Sequence, residues 1–332
     1  MINRSLFRHL LNNQIIIALI VLAIGWLVVE LSEVIIVLFI AYIIMAAITP
    51  VVDRLVRFHL PKALAAAIVY VVILAVLILL IFPLFPFFIK QVTALFAGLP
   101  VYTHNAAELL GIEINIAELQ RSFSSQVGSV GRNALQVTGQ VFGGVFALLT
   151  IVVLSFYLLL EHKQVKKTIA SFFAKDSKDA ALLTLVKIEE QLGAWLRGQI
   201  LLSVVIGLFT WIGLTLLGME EYALPLALLA GLLEIVPTIG PIIAAIPGII
   251  IALSISPTVA ILVTVFYIIL QILENNFIVP RIMEKAVGLN PIVIILGIII
   301  GGKLLGILGA LLAVPFIALV VVIASEIRRE SE

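Results

Sequence analysis

The sequence predicts an all-α, polytopic integral membrane protein. Three observations predict it. Of 332 residues, 63% are hydrophobic and 12% are charged, where a soluble domain carries about 25% charged residues. Mean hydropathy is +1.29. The apolar residues are also contiguous, in about eight runs near 14–29, 34–52, 63–89, 141–160, 200–218, 222–256, 258–277 and 291–324. In lipid, backbone polar groups must be satisfied within the segment, so runs of this length are helices. A net charge of +1 gives nucleic acid no electrostatic foothold, and the lack of cysteine excludes disulfides, thiolate metal sites and a cysteine nucleophile.

The basic start, MINRSLFRHL, precedes the run at 14–29. No small-residue cleavage site follows, so this is an uncleaved first span. Five of the next seven runs suit single helices of about 20 residues. The runs at 222–256 and 291–324 do not. Each is about 34 residues, roughly 50 Å as one helix at 1.5 Å per residue. Halved, the pieces are too short for a core of about 30 Å. Both are therefore expected to be broken or re-entrant hairpins.

Lysine and arginine bias orients the chain. With the N-terminus in the cytoplasm, Arg54, Arg57, Lys62, Lys163, Lys166, Lys167, Lys175, Lys178, Lys187 and Arg197 all fall inside. The expected divisions are N-terminal transmembrane helices (1–89), an extracytoplasmic amphipathic helical segment (90–140), a transmembrane helix (141–160), a cytoplasmic basic helical hairpin (161–198), a C-terminal transmembrane core (199–325) and a cytoplasmic tail (326–332). In the outer segment Ile116, Leu119, Phe123, Val127, Val130, Ala134 and Val137 form a stripe at helical spacing. That stripe lies on the membrane or the protein's own spans, or it contacts a second subunit. The inner hairpin is a solvated basic element or a contact for anionic lipid.

Polar groups at membrane depth are costly unless they line a cavity or meet a partner. Pro237, Gly240, Pro241, Pro247 and Gly248 crowd one short stretch, and Pro237-Thr238-Ile239-Gly240-Pro241 is expected to be an unwound tip. Its freed carbonyls and the Thr238 hydroxyl suit a cation or a polar solute. A structural kink is the other use of such a stretch. Glu234 lies one turn earlier in an apolar run; it must be protonated, paired or in water. Gln271, Glu274 and Asn275 share a helical face. They line a pathway or cap the helix before Pro280. Gly301-Gly302-Lys303 is expected to be the turn of the last hairpin, with Lys303 either pairing with Glu234 or Glu274 or reaching the interface. The two long runs share an outline: Gly231 and Gly297 each fall six residues after a proline (Pro225, Pro291), and Gly240 and Gly306 fall fifteen after it. Paired Gly/Pro-interrupted segments point to a transport site. The four histidines have no metal-ligand spacing. There is no nucleotide-binding loop, nucleophile elbow or dinucleotide fingerprint. No catalytic residues, metal or cofactor are therefore expected.

Several motifs in order resemble the AI-2E family of autoinducer-2 exporters and related permeases. They are Trp195-Leu196-Arg197-Gly198-Gln199, Val236 to Pro241 with Ile246-Pro247, Glu274-Asn275 with Pro280 to Met283, Val287 to Pro291, and Gly301 to Gly309 ending in Ala313-Val314-Pro315. The resemblance covers nearly the whole chain, the N-terminal half only in layout. It implies a non-ATP, multi-span transporter of a bacterial cell membrane that forms homo-oligomers and exports a small polar solute such as autoinducer-2. For other members it implies Na⁺(Li⁺)/H⁺ antiport, here with Glu234 and Glu274 as exchanging carboxylates. Two places depart from the family's common pattern. Asn290 stands where His is frequent, and Glu234 and Thr238 lie near a tip where an aromatic or Asn is frequent. The added carboxylate leans toward cation or proton coupling. A reading of a different class is a non-transporting scaffold whose 90–140 helix docks a partner.

Overall fold

Every described element is a helix, as lipid requires of a chain this apolar. The computed structural model describes residues 14–82, 84, 87, 134–173, 177–237, 239–283 and 291–331. Most of the expected outer segment 90–140, and Thr238, lie outside the described residues. The helices are α1 (Gln14–Glu30), α2 (Ser32–Arg57), α3 (Lys62–Phe82), α4 (Ala134–Leu160), α5 (His162–Ser171), α6 (Lys178–Leu216), α7 (Glu220–Leu233), α8 (Ile239–Ile255), α9 (Pro257–Leu273), α10 (Val279–Met283) and α11 (Pro291–Ser331). A π-helical turn, Glu274–Ile278, joins α9 to α10. Among the described residues six helices are long and apolar enough to span a membrane. Helix α4 starts at Ala134, so the end of the expected outer stripe lies on the helix that carries the span Gly143–Leu160.

The spans are fixed to one another where their own backbone needs partners. Pro50 inside α2 has no N–H, which frees the Ala46 carbonyl one turn earlier. The Arg197 Nη1 of α6 donates to that oxygen at 3.2 Å. The last carbonyls of α4 have no helical donors, and Lys62 Nζ donates to Leu159 and Leu160 at 2.6 and 3.2 Å. Lys166 of α5 pairs with Glu189 of α6 at 2.6 Å, and Lys187 pairs with Glu326 near the end of α11. The basic residues thus gather at one end of the bundle. The core centres on α6, where Leu192, Trp195, Leu202 and Ile206 pack with Ile43 of α2 and with Leu312 and Val314 of α11. A second cluster joins α2, α3 and α4 through Met45, Val52, Ala66, Tyr70 and Leu159.

Both long runs are hairpins. In the first, α7 and α8 have 14 and 17 residues, about 21 and 26 Å, short of a membrane core of about 30 Å. The turn between them is 234–237, somewhat before the expected tip. Helix resumes at Ile239, so Gly240 and Pro241 sit in its first turn, where a missing N–H costs nothing.

The second hairpin reverses at Gly306, not at Gly301-Gly302-Lys303. Gly306 has φ 63° and ψ −144°, a conformation open to glycine and costly to other residues. The reversal brings the Gly301 and Gly309 backbones together so closely that neither position has room for a Cβ. In a straight helix those residues would be about 12 Å apart. The arms 291–305 and 307–331 therefore run antiparallel. Length alone would let Ile292–Glu326 cross as one rod; the reversal makes it two arms.

Candidate functional site

The site is built on the buried face of α6. Gln199, Leu202, Ile206 and Thr210 recur at three and four residues and are all buried. Helix α7 lies against this face through small residues, Ala227 and Gly231 meeting Ser203 and Gly207. Where α7 ends, the Glu234 carbonyl has no helical donor, and Gln199 Nε2 donates to it across the interface. Glu234 itself is 0% exposed. Both its carboxylate oxygens, and the remaining Gln199 Oε1, lack a hydrogen-bond partner. A buried carboxylate in that state needs a proton, a cation or water.

A second carboxylate lies near enough for its charge to act on the first. Glu274 is 3% exposed and opens the π-helical turn. Such turns insert a residue and are frequent at functional sites. Gln271 Nε2 donates to Glu274 Oε1 at 3.3 Å and to Asn275 Oδ1 at 3.4 Å. Beside Glu274 is a cavity of about 320 Å³ between α6, α7, α8 and α9. Ile206, Thr210, Pro241, Ala245, Gln271 and Glu274 are among its walls. Two more hydroxyls nearby have no partner, Thr210 Oγ1 and Tyr267 Oη. The arrangement can bind a donor-bearing solute or cation, and nothing in it resembles a covalent catalyst.

Of the residues singled out from the sequence, the structure brings Pro241, Gln271 and Glu274 to this cavity, and Glu234 is buried at the end of α7, whose Ala230 also lines the cavity. Pro237 ends the turn before α8, Gly240 lies in the first turn of α8, and Asn275 is exposed. Gly301 and Gly302 are elsewhere, packed on Gly309 and Ala310 of their own hairpin. Lys303 is exposed, and the ion pairs among the described residues do not include it, so the expected pairing with Glu234 or Glu274 is not seen. The hairpins do meet, but tip to flank. Val236 in the first turn packs against the cluster of Ile298, Ala310 and Ala313 in the second. Among the described residues no group of three His, Asp or Glu side chains could hold a metal ion.

Sequence reasoning missed Gln199, Thr210 and Tyr267. Part of the signal was there. Thr264, Tyr267, Gln271 and Glu274 follow at intervals of three, four and three, a polar stripe on an otherwise apolar helix. Gln199 interrupts the approach to the run at 200–218 in the same way.

A multi-span bundle with two Gly/Pro-interrupted hairpins and buried carboxylates at their junction is the core of a membrane transporter. The comparisons agree. The model of the AI-2E family transporters matches residues 15–329, and the chain belongs to that family. The "Putative transport protein YrrI" of Bacillus subtilis (strain 168) is 28% identical over 304 residues, 87% of this chain and 85% of that protein. The AI-2 transport protein TqsA of Escherichia coli (strain K12) is 27% identical over 325 residues, 92% and 91% of the two chains. The family is one of transporters rather than enzymes.

Proposed function

We propose that this chain exports a small polar solute of the autoinducer-2 kind by secondary transport, without ATP, using the junction of its two hairpins. One observation carries the reading: Glu234, 0% exposed and with no partner for either oxygen, lies at the tip of a hairpin that rests on the second hairpin. Evolution of a buried acid without a role is costly in lipid. The relative TqsA, named an AI-2 transport protein, supports the choice of solute. The gathering of basic residues at one end of the bundle supports a bacterial inner membrane orientation with both termini cytoplasmic. The exposed apolar faces suit lipid and a homo-oligomer.

The test is efflux of labelled autoinducer-2 from proteoliposomes containing no nucleotide. The expected result is flux above protein-free vesicles, reduced at least tenfold by Glu234→Gln. Flux equal to empty vesicles removes this solute and is the outcome a scaffold would give; full flux in Glu234→Gln removes the carboxylate. A second reading, Na⁺(Li⁺)/H⁺ antiport, draws on the same feature, since Glu234, Glu274 and Gln199 Oε1 present acceptors to one region. In that case an added Na⁺ gradient drives proton movement in the same vesicles; silence across a broad pH range removes it.

A further inference from the structure

The cavity beside Glu274 is a slot, and its shape and lining select a class of occupant. Helices α8 and α9 are antiparallel across the Ser256 corner. Both helices line the slot, α8 with Ile242, Ala245, Ile246 and Ile249 and α9 with Thr264, Ile268 and Gln271, and the Tyr267 ring meets Gly248 across them. From Thr264 to Glu274 the groove runs ten residues, about 15 Å. Its walls are almost wholly apolar. Three of the wall side chains, Ile242, Ile246 and Ile268, are 60%, 52% and 55% exposed. The slot is therefore open sideways between exposed apolar side chains and closed at the back by α6.

Polar groups recur along the slot, but its carboxylate lies at the end by the hairpin turn. Glu274 and Gln271 line that end, and Gln271 Nε2 is already engaged by Glu274 Oε1 and Asn275 Oδ1. Thr264 Oγ1 is used by its own helix, donating to Ala260 O at 2.8 Å. Thr210 Oγ1, on a residue 0% exposed, and Tyr267 Oη have no partner. The free polar capacity is thus a carboxylate and two hydroxyls. It suits a head group that donates hydrogen bonds and carries positive charge. An anionic head group meets Glu274 and is excluded.

We infer that the slot binds an amphiphile with a protonated amine head and an apolar tail, entering from the bilayer, with the amine at Glu274 and the tail between Ile242, Ile246 and Ile268. The inference uses the same hairpin core as the transport reading but concerns occupancy. It is read by binding, so a failure of flux and a failure of binding are separate results.

The experiment measures binding of radiolabelled n-decylamine to the full chain in phosphatidylcholine nanodiscs, against empty nanodiscs to subtract partition into lipid. At neutral pH the amine is charged. The expected result is saturable binding to the protein. Binding weakens at least tenfold in Glu274→Gln, which keeps the shape and removes the charge, and in Ala245→Phe, which fills the slot. Unlabelled n-decanol, of equal chain length, competes at least tenfold less well than unlabelled n-decylamine; this arm needs no variant. The proposal is overturned by wild-type binding no greater than lipid partition, by n-decanol competing equally, or by tight binding retained in both variants.

Discussion

Arg197 and Pro50 form a pair whose energetics follow from backbone chemistry. Replacing Arg197 by Met keeps the apolar stem and removes the donor that Ala46 O receives at 3.2 Å. Ala46 is buried, 3% exposed. Its carbonyl lacks a helical partner only because residue 50 is proline. Leaving a buried acceptor unsatisfied costs about 1–3 kcal/mol, and the partial exposure of Arg197 places the loss at about 1–2 kcal/mol by the same principle. Now replace Pro50 by Ala. Residue 50 regains an N–H aimed at Ala46 O, and the arginine becomes redundant. In that background Arg197→Met should cost less than about 0.5 kcal/mol, a coupling of about 1 kcal/mol. The assay is a double-mutant cycle on reversible denaturant unfolding in mixed micelles, read by helical circular dichroism. Equal cost of Arg197→Met in both backgrounds would refute the reasoning.

Other outcomes follow from the same structure. A side chain at Gly301 would enter the Gly309 backbone, whereas a Cβ at Gly302 would sit 3.8 Å from Ala310 Cβ, an ordinary contact. Gly301→Ala should therefore cost more than about 2 kcal/mol, and Gly302→Ala should be neutral or gain up to about 1 kcal/mol from helix propensity; the same unfolding assay decides. His162 lies between spans, and burial holds its imidazole below the usual histidine range, opposed by Glu189 and assisted by Lys166. Above about pH 6.5 both folded and unfolded forms are neutral there and the group adds nothing. Below it the unfolded chain takes the proton first, so stability falls with falling pH. His162→Gln should flatten the drop in Tm between about pH 6.5 and 5; parallel curves for the two proteins would count against it.

The hairpins were legible because a run of about 34 apolar residues is too long for one span and too short for two. Their turning points were less so, and for a physical reason. Glycine and proline permit a turn without requiring one. Gly240 and Pro241 are tolerated in the first helical turn, so the actual turn moved to 234–237. Gly301 is glycine because Gly309 crosses it, and the conformational need falls on Gly306. A close approach and a positive φ leave the same letter in the sequence. The buried acids were visible as charges in apolar runs. Gln199 was visible only as a polar interruption; its task is set by a carbonyl 35 residues away, a distance no local pattern reports.

The shared outline of the two long runs can now be weighed residue by residue. Gly240 and Gly306, each fifteen residues after a proline, both lie at or beside a reversal. Gly231 and Gly297 match in position yet differ in use. Gly231 receives Ser203 and Gly207 of α6, whereas Gly297 receives Ile317 and Ala313 of its own hairpin. The first hairpin is thus built into the α6 wall and brings a carboxylate with it. The second closes on itself and offers its flank, Ile298, Ala310 and Ala313, to the tip of the first. That contact is wholly apolar, with no hydrogen bond among those described to fix its register. An interface of this kind slides at low cost, while the α6–α7 interface, held by the Gln199 bond, does not. Any displacement that uncovers Glu234 is therefore expected at the hairpin–hairpin contact. It is there, at Val236, that a bulkier or a polar side chain will change access without touching the acid itself.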